Sequence, residues 1–152
     1  MRHFVLLFTL FSLPAFALER LSTSPIAVYG VEEEFEDVME DVQDGILAQG
    51  MTISNIAKLG AMLARTAKDL GFAPPYEKAQ AIEFCSAAFA HRMAALHPAN
   101  LASCPMVFFV YTLKGEDRTY IAFRRPAFLG EGEALEKALF ETLEGILEDA
   151  FD

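Results

Sequence analysis

The chain has 152 residues, 53% of them apolar, with two cysteines and no tryptophan, and its 22 acidic residues outnumber the 12 basic ones for a formal charge of −10. That length supports a single domain with a real core, and the composition excludes disordered, collagen-like and disulfide-scaffold chains. Nucleic acid is a poor partner for so acidic a protein, because binding to phosphates draws on basic side chains.

Residues 1–17 read as a secretory signal peptide: Met1-Arg2-His3, an apolar run over residues 4–13, Pro14, and the small-x-small end Ala15-Phe16-Ala17. The run is short for a bilayer span, and no cysteine stands near the cleavage region to take a lipid. Cleavage after Ala17 leaves residues 18–152 as the domain and, with Arg2 gone, moves the charge from −10 to −11. The expected location is periplasmic or secreted, with no transmembrane segment after cleavage.

A short strand is expected over residues 26–31. Phe35, Val38, Met39, Val42 and Ile46 then recur at helical spacing, with Glu32, Glu33 and Glu34 placed in the first turn and Gly50 closing the helix. A second strand is expected over residues 51–59, and a helix through Met62, Leu63, Thr66, Ala67 and Leu70 that Gly71 and Pro74-Pro75 stop. Residues 80–85 read as a third strand. Ser86 is the expected N-cap of a helix that runs through Met93 to His97 and ends at Pro98. The strongest strand signal is the apolar run over residues 106–111, joined by a polar turn over residues 114–117 to a partner over residues 120–123. A long helix with Leu135, Leu139, Leu143, Ile146 and Ala150 on one face closes the chain. The order β-α-β-α-β-α-β-β-α predicts an α+β fold, with helices packed on one mixed, mainly antiparallel sheet.

The charge is concentrated. Eight acids and no base fall in residues 32–44, and eight more face only Lys137 in residues 131–152. Residues 45–130 carry nine bases against five acids. Both acidic runs are expected as solvated helix faces. Of the bases, Arg65 and Lys68 share a helix at i, i+3, and Arg124-Arg125 end the hairpin. Gathered on one face, these four would bind a small anionic ligand or dock the acidic helices of another subunit; pairing within the chain is the plainer alternative.

Cys85 and Cys104 carry most of the candidate chemistry. If the strand that Cys85 ends and the strand that Cys104 precedes run antiparallel, both thiols lie at one sheet end and can bond; if parallel, a strand length separates them. A structural disulfide worth about 3 kcal/mol, a redox-active or metal-binding pair, and two free buried cysteines are the three readings. No Cys-x-x-Cys exists, which removes the thioredoxin and c-type haem signatures. His91 and His97 lie six residues apart on the expected helix, about 120° around it, so one regular helix does not let them share an ion. His91 or Met93, with Cys85 or a partner subunit, could ligate a metal or haem. No cofactor follows from the sequence.

Several segments resemble the family known as domain of unknown function 302, over roughly residues 28–128. They are Glu83-Phe84-Cys85-Ser86, Ala90-His91-Arg92-Met93, His97-Pro98, Cys104-Pro105 leading into the 107–111 strand, Ala122-Phe123-Arg124-Arg125-Pro126, and residues 63–71, which are similar to a stretch in exported members. The resemblance implies a small α+β domain, often a homodimer, and no established reaction. A dimer through exposed Phe-rich strands is expected on both grounds. The reading is thus an exported binding or accessory protein, more plausibly no enzyme, with a periplasmic thiol/disulfide or metal redox protein using Cys85 and Cys104 as the alternative.

Overall fold

The computed structural model describes residues 17–151; the expected signal segment, apart from Ala17, lies outside the described residues. Six strands and four helices follow in the order β1 (Glu19–Thr23), β2 (Ile26–Val31), α1 (Phe35–Ala48), β3 (Thr52–Ala57), α2 (Leu59–Leu70), β4 (Tyr76–Cys85), α3 (Ala87–Leu96), β5 (Met106–Leu113), β6 (Thr119–Arg124) and α4 (Glu133–Ala150). A 3-10 helix over Pro98–Ser103 links α3 to β5. The strands form one open sheet in the order β1-β2-β6-β5-β4-β3. Every neighbouring pair is antiparallel, so the α+β expectation holds and the sheet has no parallel pair.

Strand periodicity divides the sheet into two faces. On one, Tyr29, Val31, Ile82, Phe84, Phe108 and Ile121 are buried against α1 and α4. The helical stripe of α1 (Phe35, Val38, Met39, Val42, Ile46) meets that of α4 (Leu139, Leu143, Ile146, Leu147), which sends the acidic sides of both helices outward. Phe108 sits at the centre, its ring 5.0 Å from Phe84 and 5.4 Å from Phe123.

Among the described residues, the other face carries only α2, which lies over β4. A Cβ on Gly60 would stand 3.0 Å from the Ala79 backbone nitrogen, so the missing side chain is what brings the helix down onto the strand. Gly71, in the left-handed region at φ 72°, ends α2, and Phe72 N–H bonds back to Ala67 O at 2.9 Å. No residue of α2 is buried, although the helix is amphipathic.

Several expectations change. Glu32 and Glu33 precede α1 and Glu34 is its N-cap residue, without a side-chain cap bond; the acids of the first turn are Glu36 and Asp37. β1 carries no strand signal in the sequence, since Glu-Arg-Leu-Ser-Thr lacks an apolar alternation. β4 begins at Tyr76, four residues before its apolar pattern, because β5 is long enough to pair with that part as well. His97 lies outside the helix: its backbone is extended at φ −160°, and its Nδ1 accepts from Ala99 N–H at 3.1 Å to cap the 3-10 helix that Pro98 starts. The helical separation of His91 and His97 therefore does not apply.

Candidate functional site

β4 ends at Cys85 and β5 begins two residues after Cys104. Because the two strands are antiparallel with Phe84 opposite Met106, the cysteines meet at one end of the sheet. Their Sγ atoms are 3.2 Å apart, both are free thiols, and both are half-buried. The condition set by the sequence, antiparallel neighbours, is met. Burial, and then the neighbouring Cys85 thiol, push the Cys104 thiol up to about 11, so Cys104 is protonated at neutral pH.

The residues between the two cysteines form a loop held by its own contacts. Ser86 Oγ accepts from Phe89 N–H at 3.4 Å and caps α3, as its type and position predict. Asn100, almost wholly buried, donates through Nδ2 to Met93 O at 3.4 Å and to Leu129 O at 3.1 Å, and its Oδ1 accepts from Leu129 N–H at 2.8 Å. This side chain ties the 3-10 helix to the β6–α4 connection. Sequence reasoning missed it, because a lone Asn after His-Pro-Ala reads as a turn residue and its partners at 129 are distant in the chain.

The other candidate ligands do not converge. Met93 is fully buried under α3, whereas His91, two residues earlier, is exposed on the opposite side of the helix. Among the described residues no group of three His, Cys, Asp or Glu side chains is arranged to hold a metal ion. The four expected anion-binding bases also divide. Arg65 and Lys68 are exposed on α2, which lies over β4, while Arg124 ends β6 and Arg125 follows it, on the far side of β5. The Arg125 guanidinium stacks on the Phe140 ring at 4.2 Å, which turns it toward α4.

The second notable surface is the sheet face that α1 and α4 leave uncovered. Two rows of residues cross it: Ala79, Tyr111, Tyr120 and Gly30, and beside them Ala81, Phe109, Ala122 and Val28. The aromatic rings form a continuous ladder, with Phe109 to Tyr111 at 5.0 Å and Tyr111 to Tyr120 at 5.1 Å, both stacked, and Tyr76 edge-on to Tyr111 at 5.6 Å. These rings are half-buried, and Val107 at the end of the face is 38% exposed. Burial, then Tyr76 and Glu116, raise the Tyr111 phenol above its ordinary value, so this ring at the middle of the ladder stays uncharged across the physiological range.

An open-faced antiparallel α+β domain with a dithiol at one end of the sheet is the class that fold and site define. The family model described as domain of unknown function DUF302 matches residues 28–150, and the chain belongs to that family. Its fold is similar to the crystal structure of an uncharacterized conserved DUF302 protein from Bacillus stearothermophilus, with a TM-score of 0.67 and 16% identity over 86% of this chain and 100% of the other. No curated protein matches the chain. Among the described residues, no helix is long and apolar enough to cross a membrane.

Proposed function

We propose that this protein is an exported binding or accessory protein that works as a homodimer, its two copies meeting through the open sheet face. The observation that carries the reading is β5. Its sequence, Met-Val-Phe-Phe-Val-Tyr-Thr-Leu, is apolar on both sides of the pleat, the pattern of a strand covered on both faces, yet within one chain α1 and α4 bury one face while Phe109 and Tyr111 on the other stay half-buried and Val107 exposed. A face wet on one side would alternate apolar and polar residues, and Phe109 and Tyr111 stand where polar residues belong.

Charge supports a second copy as the occupant. The two acidic runs lie around and on α1 and α4, across the sheet from the open face, whereas α2 on the open side carries Arg65 and Lys68. Two copies joined through the open faces hold their acidic helices on opposite outer surfaces, so a mature chain of charge −11, the −10 of the full sequence less Arg2, associates with little mutual repulsion. A two-fold arrangement lets the same apolar rows serve both copies. Export rests on the signal-type segment at residues 1–17. Sedimentation equilibrium of the mature protein tests the pairing: a particle of two chains is expected, and a monomer at tens of micromolar contradicts it. N-terminal sequencing of protein recovered from the periplasm tests export, with Leu18 as the expected first residue.

A second reading, a thiol/disulfide protein, is favoured by the 3.2 Å separation of Cys85 and Cys104. A disulfide has its sulfurs about 2.05 Å apart, so closure needs a movement of about 1 Å at one strand end. An oxidising compartment is where such a pair closes.

A further inference from the structure

We propose that Cys85 and Cys104 form a thiol–disulfide exchange site for disulfide-bearing substrates, in which Cys85 takes the substrate sulfur first and Cys104 resolves the mixed disulfide. The proposal rests on the dithiol reading above and adds to it a substrate class and an order of attack.

Three observations support it. First, the thiols are already adjacent, with Sγ atoms 3.2 Å apart on neighbouring antiparallel strands, so the resolving step needs no rearrangement of the fold. Second, the loop they bracket is closed without them. Ser86 caps α3, Asn100 pins the 3-10 helix to the backbone at Leu129, and Cys104 N–H bonds to Leu101 O at 3.0 Å. A bond that can open without releasing the segment between its ends suits a reversible exchange more than a permanent staple. Third, the two positions differ. Cys85 ends β4, and its strand partner Thr52, on edge strand β3, is exposed. Cys104, half-buried like Cys85, lies between the end of the 3-10 helix and β5, and its thiol is held protonated, which suits a group that acts second.

The chemistry balances with a disulfide RS–SR as the oxidant. The Cys85 thiol loses its proton to solvent, and the thiolate attacks one sulfur of RS–SR. That S–S bond breaks, RS⁻ leaves and is protonated to RSH, and Cys85 carries the SR group. Cys104 then gives up its proton and attacks Cys85 Sγ. The mixed disulfide breaks, the second RS⁻ leaves and takes a proton, and the intramolecular disulfide remains. Two protein thiols are oxidised and one substrate disulfide is reduced to two thiols; the reverse sequence passes the disulfide back to a dithiol.

The test uses the reduced full-length mature protein with oxidised glutathione as the probe, read by intact-mass spectrometry. Wild type is expected to lose two hydrogens and keep no adduct. Cys104→Ser is expected to accumulate one glutathionyl group on Cys85, about tenfold faster than Cys85→Ser acquires one on Cys104. Far-ultraviolet circular dichroism of both variants checks that they are folded, and Cys104→Ala serves as a second resolving-cysteine variant. Equal adduct formation, or faster formation on Cys85→Ser, overturns the order of attack. A wild-type disulfide that forms and then resists excess reduced glutathione overturns exchange while leaving the dithiol reading standing. Failure of wild type to form any intramolecular disulfide overturns that reading as well.

Discussion

Tyr29 Oη donates a hydrogen bond of 2.5 Å to Glu144 Oε1, joining β2 to α4 across 115 residues of sequence. The same carboxylate oxygen lies 2.5 Å from Arg20 Nη2 of β1, so one half-buried glutamate ties the edge strand and its neighbour to the last helix. Burial first, and then Glu144, raise the Tyr29 phenol well above its ordinary value near 10.

A pH dependence follows with a definite sign. A group whose folded value is raised contributes stability that is complete below its unfolded value and lost as pH climbs toward the folded one. The protein is therefore expected to lose stability as pH rises beyond about 10, where an unfolded tyrosine ionises and Tyr29 does not. Tyr29→Phe removes that part of the alkaline loss and costs about 1 kcal/mol at neutral pH through the missing hydrogen bond. Urea denaturation of both proteins at pH 7 and above pH 10 measures it; parallel alkaline profiles would show that Tyr29 takes no part.

Asn100→Ala strands Leu129 N–H in a part-buried position and removes both Nδ2 bonds from the α3 to 3-10 segment. The expected cost is about 2–3 kcal/mol by chemical denaturation. Amide exchange should quicken over residues 97–104 and 128–130 before it changes in β5. A cost within experimental error would mean that the segment is held by something other than this side chain.

Within the acidic run of α1, burial, followed by Asp37 and Asp44, raises the Asp41 carboxyl above its ordinary value. The folded state therefore binds this proton more readily than the unfolded state, so the penalty is present at neutral pH and relieved as pH falls through the folded value toward 3.8. Asp41→Asn is expected to raise stability at pH 7 by less than about 1 kcal/mol, since the group is largely in water, and to raise it less near pH 4. Thermal melts at both pH values decide; a destabilised variant contradicts the assignment.

How far the sequence discloses these features follows from their range. The helical face of the core is legible because each stripe, such as Phe35, Val38, Val42 and Ile46, repeats at a spacing only a helix places on one side. The meeting of Cys85 and Cys104 is legible as a condition, and strand direction settles it, because β4 and β5 are adjacent and antiparallel. Asn100, Glu144 and Arg20 leave no local trace, since each acts on a partner far along the chain. Edge strand β1 escapes for a related reason: its pairing with β2 and the anchoring of Arg20 on α4 decide its conformation, and its own residues do not. The division of the four basic residues comes from the strand order, which places β5 between the two pairs.

The pairing of two copies through the open sheet face is tested most directly by one comparison of dimer dissociation constants, measured by sedimentation equilibrium. Val107, exposed at the end of that face, and Leu129, equally apolar but in the β6–α4 connection, are each replaced by arginine. Val107→Arg is expected to weaken the dimer about tenfold or more, while Leu129→Arg leaves it as in wild type. Equal dissociation constants for wild type and Val107→Arg, or a wild-type protein that sediments as a monomer, would contradict the account.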